Sequence, residues 1–265
     1  VFHGMWGVAP NDAWLVGGTA GNTGLIWHWN GADWQPESNG STQQLNAIWG
    51  SSASDLWAVG KGGTVLHRVG GVWVPVVSGV SDELWAIWGA GPDDIWSVGL
   101  SGRVIHYTSG SWSRVTSGTS QYLFGIWGAA ANDIWFVGSL GTIGHYDGVS
   151  WASASSGTTQ DLHAIHGRSA NDIWTIGNGG TIRHYDGTAW TNSASGVSNS
   201  LYGVWEHGLN DIWVVGNEGT MLHYNGTAWS RSNSGTTQGI WQVWGAVPGD
   251  VWSLGHEGLL MRYNP

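Results

Sequence analysis

The sequence predicts an all-β fold, a single seven-bladed β-propeller of four-stranded antiparallel blades, and three observations carry that expectation. The first is a strict period. Leu45, Leu84, Leu123, Leu162, Leu201 and Ile240 recur every 39 residues and open five copies of equal length and a shorter sixth; a period near 40 marks a propeller or an array of similar units. The second is the content of each copy: four short runs of apolar, β-branched and aromatic residues, parted by Gly, Asn, Asp and Ser, which read as strands joined by tight turns. The third is that inner runs such as Ile134-Trp135-Phe136-Val137 are apolar throughout. Strands covered on both faces by neighbouring blades need no polar side.

A further copy lies upstream, longer because Phe2 and Leu45 are 43 residues apart, so the blades are expected at residues 2–44, 45–83, 84–122, 123–161, 162–200, 201–239 and 240–265. Each opens on its innermost strand, as in Leu123-Phe124-Gly125-Ile126-Trp127-Gly128. Asn132-Asp133 and Asn171-Asp172 suit an Asx turn into the second strand, and Gly179-Gly180 suits a two-residue hairpin into the third. Asp186-Gly187 and Asn225-Gly226 then turn the third strand into the fourth. The last copy runs from Ile240 to Pro265 and stops after its third strand. Blade seven is therefore expected to lack its outer strand and to present an edge open to pairing with another chain.

Composition narrows the function classes. Only 10% of the 265 residues are charged, while Gly supplies 45 and Trp 23; because both fall at fixed places in the repeat, the chain reads as folded and not as low-complexity. A net charge of −10, with Lys61 the single lysine among eight cations, cannot neutralise a phosphate backbone, so nucleic acid is not an expected partner. The absence of Cys removes disulfides and thiolate metal sites. No apolar run approaches 18 residues, so membrane insertion is not expected. The chain starts at Val1 without an initiator Met, which suggests a processed protein or an excised fragment. The expected setting is secreted, cell-surface or periplasmic, in a bacterium.

Nineteen of the 23 Trp occupy three recurring slots. The first is Trp6, Trp49, Trp88, Trp127, Trp205 and Trp244, with His166 standing in for blade five; the second is Trp14, Trp57, Trp96, Trp135, Trp174, Trp213 and Trp252; the fourth-strand slot is Trp34, Trp73, Trp112, Trp151, Trp190 and Trp229. A ring required once per blade answers a packing need that recurs once per blade. Asp12, Asp55, Asp94, Asp133, Asp172, Asp211 and Asp250 precede the second strand and are expected to fix the turn by accepting from backbone N–H groups two residues on. One Asp per blade spreads carboxylates around a circle, so no metal or other cofactor is expected. His28, His67, His106, His145, His184 and His223, with Arg262 in the last slot, are expected to hydrogen-bond the adjacent blade.

The hairpins Tyr146-Asp147-Gly148-Val149-Ser150-Trp151 and Tyr185-Asp186-Gly187-Thr188-Ala189-Trp190 resemble the Asp-box, whose fuller form is Ser-x-Asp-x-Gly-x-x-Trp. Together with Gly180-Thr181-Ile182-Arg183-His184 before the box and Ser156-Gly157-Thr158-Thr159-Gln160 after it, the repeat is similar to that of the photosystem II assembly and stability factor family and of related bacterial Asp-box propellers. The likeness covers nearly the whole chain. It departs in the missing box Ser and in Tyr where Thr is common. It implies a propeller fold and a protein-interaction scaffold or accessory subunit.

Recognition must come from positions that the repeat leaves free. The clearest is the second residue of the innermost strand: His3, Asn46, Trp85, Phe124, His163, Tyr202 and Trp241. The residue before that strand varies too, as Gln44, Glu83, Tyr122, Asp161, Ser200 and Gly239, as does the turn after the second strand, with Lys61, Leu100, Ser139, Asn178, Asn217 and His256. These are expected to surround the mouth of the central channel, where the aromatics either bind a ligand or plug the channel against water.

Flat rings beside amides and carboxylates suit a sugar. The leading expectation is a non-catalytic, lectin-like glycan-binding module using Asn46, Glu83, Trp85, Phe124, Asp161, His163, Tyr202 and Trp241. The second is a scaffold or accessory subunit that docks a partner protein through a flat face or the incomplete seventh blade. The third is a degenerate glycosidase-like enzyme. No catalytic residue is expected, because glycoside hydrolysis needs two converging carboxylates and Glu83 and Asp161, the only acids expected near the mouth, lie two blades apart.

Overall fold

The computed structural model describes residues 1–263. It is a seven-bladed propeller in which six sheets have four strands and the last has three. Blade 5 shows the pattern: an innermost strand Leu162–Ser169, a second strand Asp172–Gly177, a third Ile182–Tyr185 and an outer strand Trp190–Asn192, each antiparallel to the one before. Blade 7 has Ile240–Val247, Asp250–Gly255 and Leu260–Tyr263, as its truncated repeat implies. Its final positions, Asn264 and Pro265, lie outside the described residues. Without an outer strand, Leu260 and Met261 are half-buried, whereas Met221 and Leu222 at the same places in blade 6 are 3% and 1% exposed.

The chain divides into two compact units, Val1–Tyr122 with blades 1–3 and Leu123–Pro265 with blades 4–7. The division falls on a repeat boundary. Within each unit the core is built between consecutive blades. Trp14 and Val16 of blade 1 pack with Leu45, Ile48 and Leu56 of blade 2; Trp174 and Ile176 of blade 5 pack with Leu201, Val204 and Ile212 of blade 6. This is why the second strand is buried along nearly its whole length and mostly apolar: it sits between sheets, so both its faces are covered.

The three Trp slots divide the packing among them. Second-strand Trp residues are all buried, from Trp14 at 1% exposed to Trp252 at 5%. Each lies opposite the first-slot residue of its own sheet, as Trp135 does Trp127. The first-slot ring reaches over the next blade. A Cβ on Gly50, Gly89 or Gly167 would come within 2.9, 2.6 and 2.9 Å of a ring carbon of Trp6, Trp49 and Trp127 respectively, so that glycine is required by close approach. Outer-strand Trp112, Trp190 and Trp229 stand edge-on to Trp57, Trp135 and Trp174 of the preceding blade, with centroids 5.6–5.7 Å apart, the geometry ring quadrupoles prefer.

Two sequence expectations are corrected here. The recurrent His bonds the Asp of its own blade and not the adjacent blade: the Nε2 to Oδ1 distances are 2.7 Å for His28–Asp12 and His106–Asp94, 2.8 Å for His184–Asp172 and 2.9 Å for His223–Asp211. The Asp is filled by side chains and not by the turn backbone, since Trp96, Trp135, Trp174 and Trp213 donate Nε1–H to Asp94, Asp133, Asp172 and Asp211 at 2.9, 2.8, 3.0 and 2.7 Å. The reason is strand periodicity. Residues two apart share a face, so Asp and Trp project together, and the third strand sets His directly opposite that Trp, stacked on it in blade 5 at 4.0 Å. In blade 7, Arg262 takes both oxygens of Asp250 at 2.7 and 2.8 Å.

The turn after the second strand is also longer than a two-residue hairpin. In blade 5 it is a three-residue turn, Asn178–Gly180, with Gly179 and Gly180 at φ 63° and 69°. The third-to-fourth hairpin follows its sequence reading: Asp186 Oδ1 accepts from the N–H groups of Thr188 and Ala189 at 2.9 and 3.0 Å, and Asp147 does the same for Val149 and Ser150.

Candidate functional site

The second residue of each innermost strand is free in sequence for a structural reason. Leu162 pairs with Gly177 and Ala164 with Ile176, so His163 falls outside the ladder. Asn46, Trp85, Phe124, Tyr202 and Trp241 occupy the same break in blades 2, 3, 4, 6 and 7. Such a β-bulge re-aims a side chain and terminates regular pairing. Gly177 makes room for it, because a Cβ there would collide with the carbonyl of Asp161 just before the strand, whose oxygen accepts from the Asn178 N–H at 3.0 Å. A bulged residue lies outside cross-strand pairing, which frees its identity from the ladder.

In blades 4–6 the bulged rings form a strip. Phe124, His163 and Tyr202, all half-buried, follow one another on adjacent innermost strands with centroids 5.4 and 5.1 Å apart. Turn amides orient them. His163 Nε2 lies 2.8 Å from Asn178 Oδ1, so that nitrogen carries the proton and donates. Asn217 Nδ2 donates to the Tyr202 hydroxyl at 3.1 Å, and Trp241 meets His256 edge-on at 5.6 Å. Asp161 is occupied with local structure: Oδ1 accepts the Leu140 N–H at 2.8 Å and Oδ2 the Asn178 amide at 3.4 Å.

The first unit holds the remaining expected residues. Asn46 Nδ2 donates to Glu83 Oε1 and to the Leu84 carbonyl, both at 2.9 Å, and Gln44 Nε2 donates to Asn46 Oδ1 at 3.0 Å. Trp85 stands edge-on to Tyr122 at 6.1 Å. Burial, then the chain's own ammonium and Lys61, hold the nearby His3 below the usual imidazole range. The structure thus joins Asn46 with Glu83 in one unit, and Phe124, His163, Tyr202 and Asp161 in the other. Each carboxylate serves a neighbouring amide.

No family model matches the chain, and no curated protein matches it in sequence. The structure nevertheless has clear counterparts. The chain is similar to YCF48. The structure of YCF48 bound to D1 peptide matches with a TM-score of 0.80 and 17% identity, covering 100% of this chain and 91% of that one. The WD40 propeller domain of Doa1 matches with a TM-score of 0.81 and 14% identity over 99% of this chain and 92% of that one, and virginiamycin B lyase from Staphylococcus aureus with 0.73 and 13% over 100% and 94%. These likenesses establish the fold and support the resemblance to the photosystem II assembly factor repeat at the level of fold. One fold here occurs in a peptide-bound protein and in a lyase, so function rests on the site.

Two features escaped the sequence reading. Leu140 is 65% exposed and holds a left-handed φ of 55° in the turn Ser139–Gly141, a conformation that disfavours branched side chains. Its signal was a Leu where blades 2 and 5 carry Gly62 and Gly179. The other is Glu206, in a slot that is Gly50, Gly89, Gly128, Gly167 and Gly245 elsewhere. Surface hollows lie at the turns after the outer strands of blades 4 and 5, Ala154–Thr159 and Asn192–Ser198, and reach Gly141 and Gly179–Thr181; their recurrence marks them as seams of the repeat. Among the described residues no group of His, Asp and Glu is arranged to hold a metal ion.

Proposed function

We propose that this propeller is a non-catalytic protein-interaction module that takes an extended segment of a partner polypeptide along the bulged residues of blades 4–7. The observation that carries the reading is the strip Phe124–His163–Tyr202 with ring spacings of 5.4 and 5.1 Å, beside the exposed side chain of Leu140. A row of half-buried rings, two of them oriented by turn amides, suits side chains laid along it: aromatic residues bury much area at small entropic cost. A similar propeller, YCF48, is bound to a peptide, which supports the same use here. Catalysis has less support, since Glu83 and Asp161 are each engaged by neighbouring donors.

The glycan reading shares these rings and is separated by experiment. A phage-displayed library of random 12-residue peptides and a glycan array, screened in parallel, should yield peptide ligands whose affinity falls at least about tenfold with Tyr202→Ala or Phe124→Ala, as expected for interface aromatics. Glycan binding abolished by the same substitutions, with no peptide selected, would overturn the proposal in favour of a lectin. The proposed setting is secreted, cell-surface or periplasmic, and fractionation of the native host checks it.

A further inference from the structure

Blades 5 and 6 break the repeat twice, and the two breaks meet. In blades 1, 2 and 4 the first-slot Trp lies over a Gly of the next blade; at this seam the Trp slot holds His166 and the Gly slot holds Glu206. The exchange moves side-chain volume from one strand to its neighbour. It also places the Glu206 N–H 3.2 Å from His166 Nδ1, which accepts it.

The Glu206 side chain is 0% exposed, and neither of its oxygens receives a hydrogen bond. The charged and titratable groups around it are His166 and Arg168 on the innermost strand of blade 5, Asp172 on its second strand, His184 on its third, and His207 on Glu206's own strand. Arg168 offsets its burial only in part: Nε forms a long ion pair at 3.5 Å from Oε1, the side chain is 43% exposed, and Nη2 goes to Asp172 Oδ2 at 3.2 Å. Asp172 already accepts from His184, Trp174 and Arg168, which keeps it ionised. Glu206 therefore has another carboxylate as its hydrogen-bonding neighbour and only the distant Arg168 guanidinium opposing it. A proton on Glu206, donated toward Asp172, satisfies both groups without a second buried charge.

We propose that this seam is a proton-operated latch, holding blade 5 against blade 6 while Glu206 carries its proton and loosening when the proton leaves for solvent. Burial, then the charge of Asp172, pushes Glu206 up to about 8, and burial, then His207, holds His166 down to about 4, neutral. Glu206 is raised, so its protonated form favours the closed seam, and that contribution is lost as pH rises from 4.5 to about 8. His166 acts in reverse, opposing closure as pH falls from 6.5 to about 4. Between 4.5 and 6.5 the two offset each other, which leaves 6.5 to 8 as the window where Glu206 acts alone. The same two strands present His163 and Tyr202, so an opened seam reaches the aromatic strip. The latch stands whatever that strip binds.

Hydrogen exchange of the innermost strands of blades 5 and 6, followed by mass spectrometry between pH 6.5 and 8, tests it. After correction for intrinsic exchange, protection should fall by up to about tenfold per pH unit, one proton being lost on opening. Glu206→Gln should flatten the profile, as should the pair His166→Trp with Glu206→Gly, which restores the Trp–Gly contact of the other blades. A flat profile in the unaltered protein, or an unchanged slope in either folded variant, would sink the proposal. Should Glu206→Gln fail to fold, the paired variant decides alone.

Discussion

Trp57 and Trp174 occupy the same slot with nearly the same surroundings, and a single hydrogen bond separates them. They are 1% and 4% exposed, stack on His67 and His184 at 3.8 and 4.0 Å, and each meets an outer-strand Trp edge-on at 5.7 Å. Trp174 Nε1 donates to buried Asp172 at 3.0 Å, whereas Trp57 Nε1 is buried with no acceptor. Substituting Phe removes the same ring area from both, so the packing loss cancels in the comparison. At Trp174 a hydrogen bond to a charged acceptor goes as well, a loss of about 1.5–3 kcal/mol; at Trp57 an unsatisfied donor is removed, a relief of about 1–3 kcal/mol. Trp174→Phe should therefore be the more destabilising by at least about 2 kcal/mol, or roughly 5 °C in Tm for a chain of this size. Urea unfolding read by far-UV circular dichroism measures it, with midpoints compared only where the slopes agree. Equal costs within about 0.5 kcal/mol, which is near the additivity error of such comparisons, would refute the Asp–Trp–His arrangement as a source of stability.

Leu140→Gly should raise stability by up to about 1 kcal/mol, because a left-handed φ disfavours a branched side chain and little packing is lost at an exposed site. The same change should weaken a peptide selected on the aromatic strip, as titration calorimetry would show; weakening both, or neither, would contradict the assignment of Leu140 to that surface. At Asp186 the Thr188 hydroxyl, then the Ala189 and Thr188 N–H groups, hold the carboxyl down to about 2. Its hairpin contribution is therefore complete above the unfolded value of 3.8 and is lost as pH falls toward about 2. Amide shifts of Thr188 and Ala189 followed by NMR should titrate near 2 and stop titrating in Asp186→Asn. Titration near 3.8 would show that the box is not formed.

What the sequence disclosed tracks how often a feature repeats. A ring needed in every blade, such as Trp135, is visible as a slot even when its partners are unknown. Partners were the weaker reading: His145 was assigned to the adjacent blade, although the i, i+2 relation of Asp133 and Trp135 already set the acceptor on the same face. The bulge was legible only as its consequence, the variability of Phe124, His163 and Tyr202, because an extra residue in one strand leaves no mark in a pattern whose strand ends are uncertain. Within its own blade Glu206 is only a Gly slot filled by another residue. Its meaning lies across a seam, opposite His166, and strand-by-strand inspection does not bring those residues together.

The exceptions to the repeat are thereby of two kinds, and one substitution distinguishes them. A bulged residue lies outside the ladder, so Phe124→Tyr should leave stability nearly unchanged, within the roughly ±0.5 kcal/mol of ordinary surface changes. His166 lies under its neighbour. His166→Trp alone restores the consensus residue yet sets an indole against the buried carboxyl of Glu206, where the other blades offer a glycine; overpacking of this kind costs about 1–3 kcal/mol. Adding Glu206→Gly should recover that loss, giving a coupling energy in the double-mutant cycle of similar size and opposite sign. Additive effects in the cycle would mean that the two exceptions arose separately and merely happen to face each other. Strong coupling would mean that one blade's departure from the repeat is answered by the next, and that variable positions in this propeller belong to a binding surface only when they change alone.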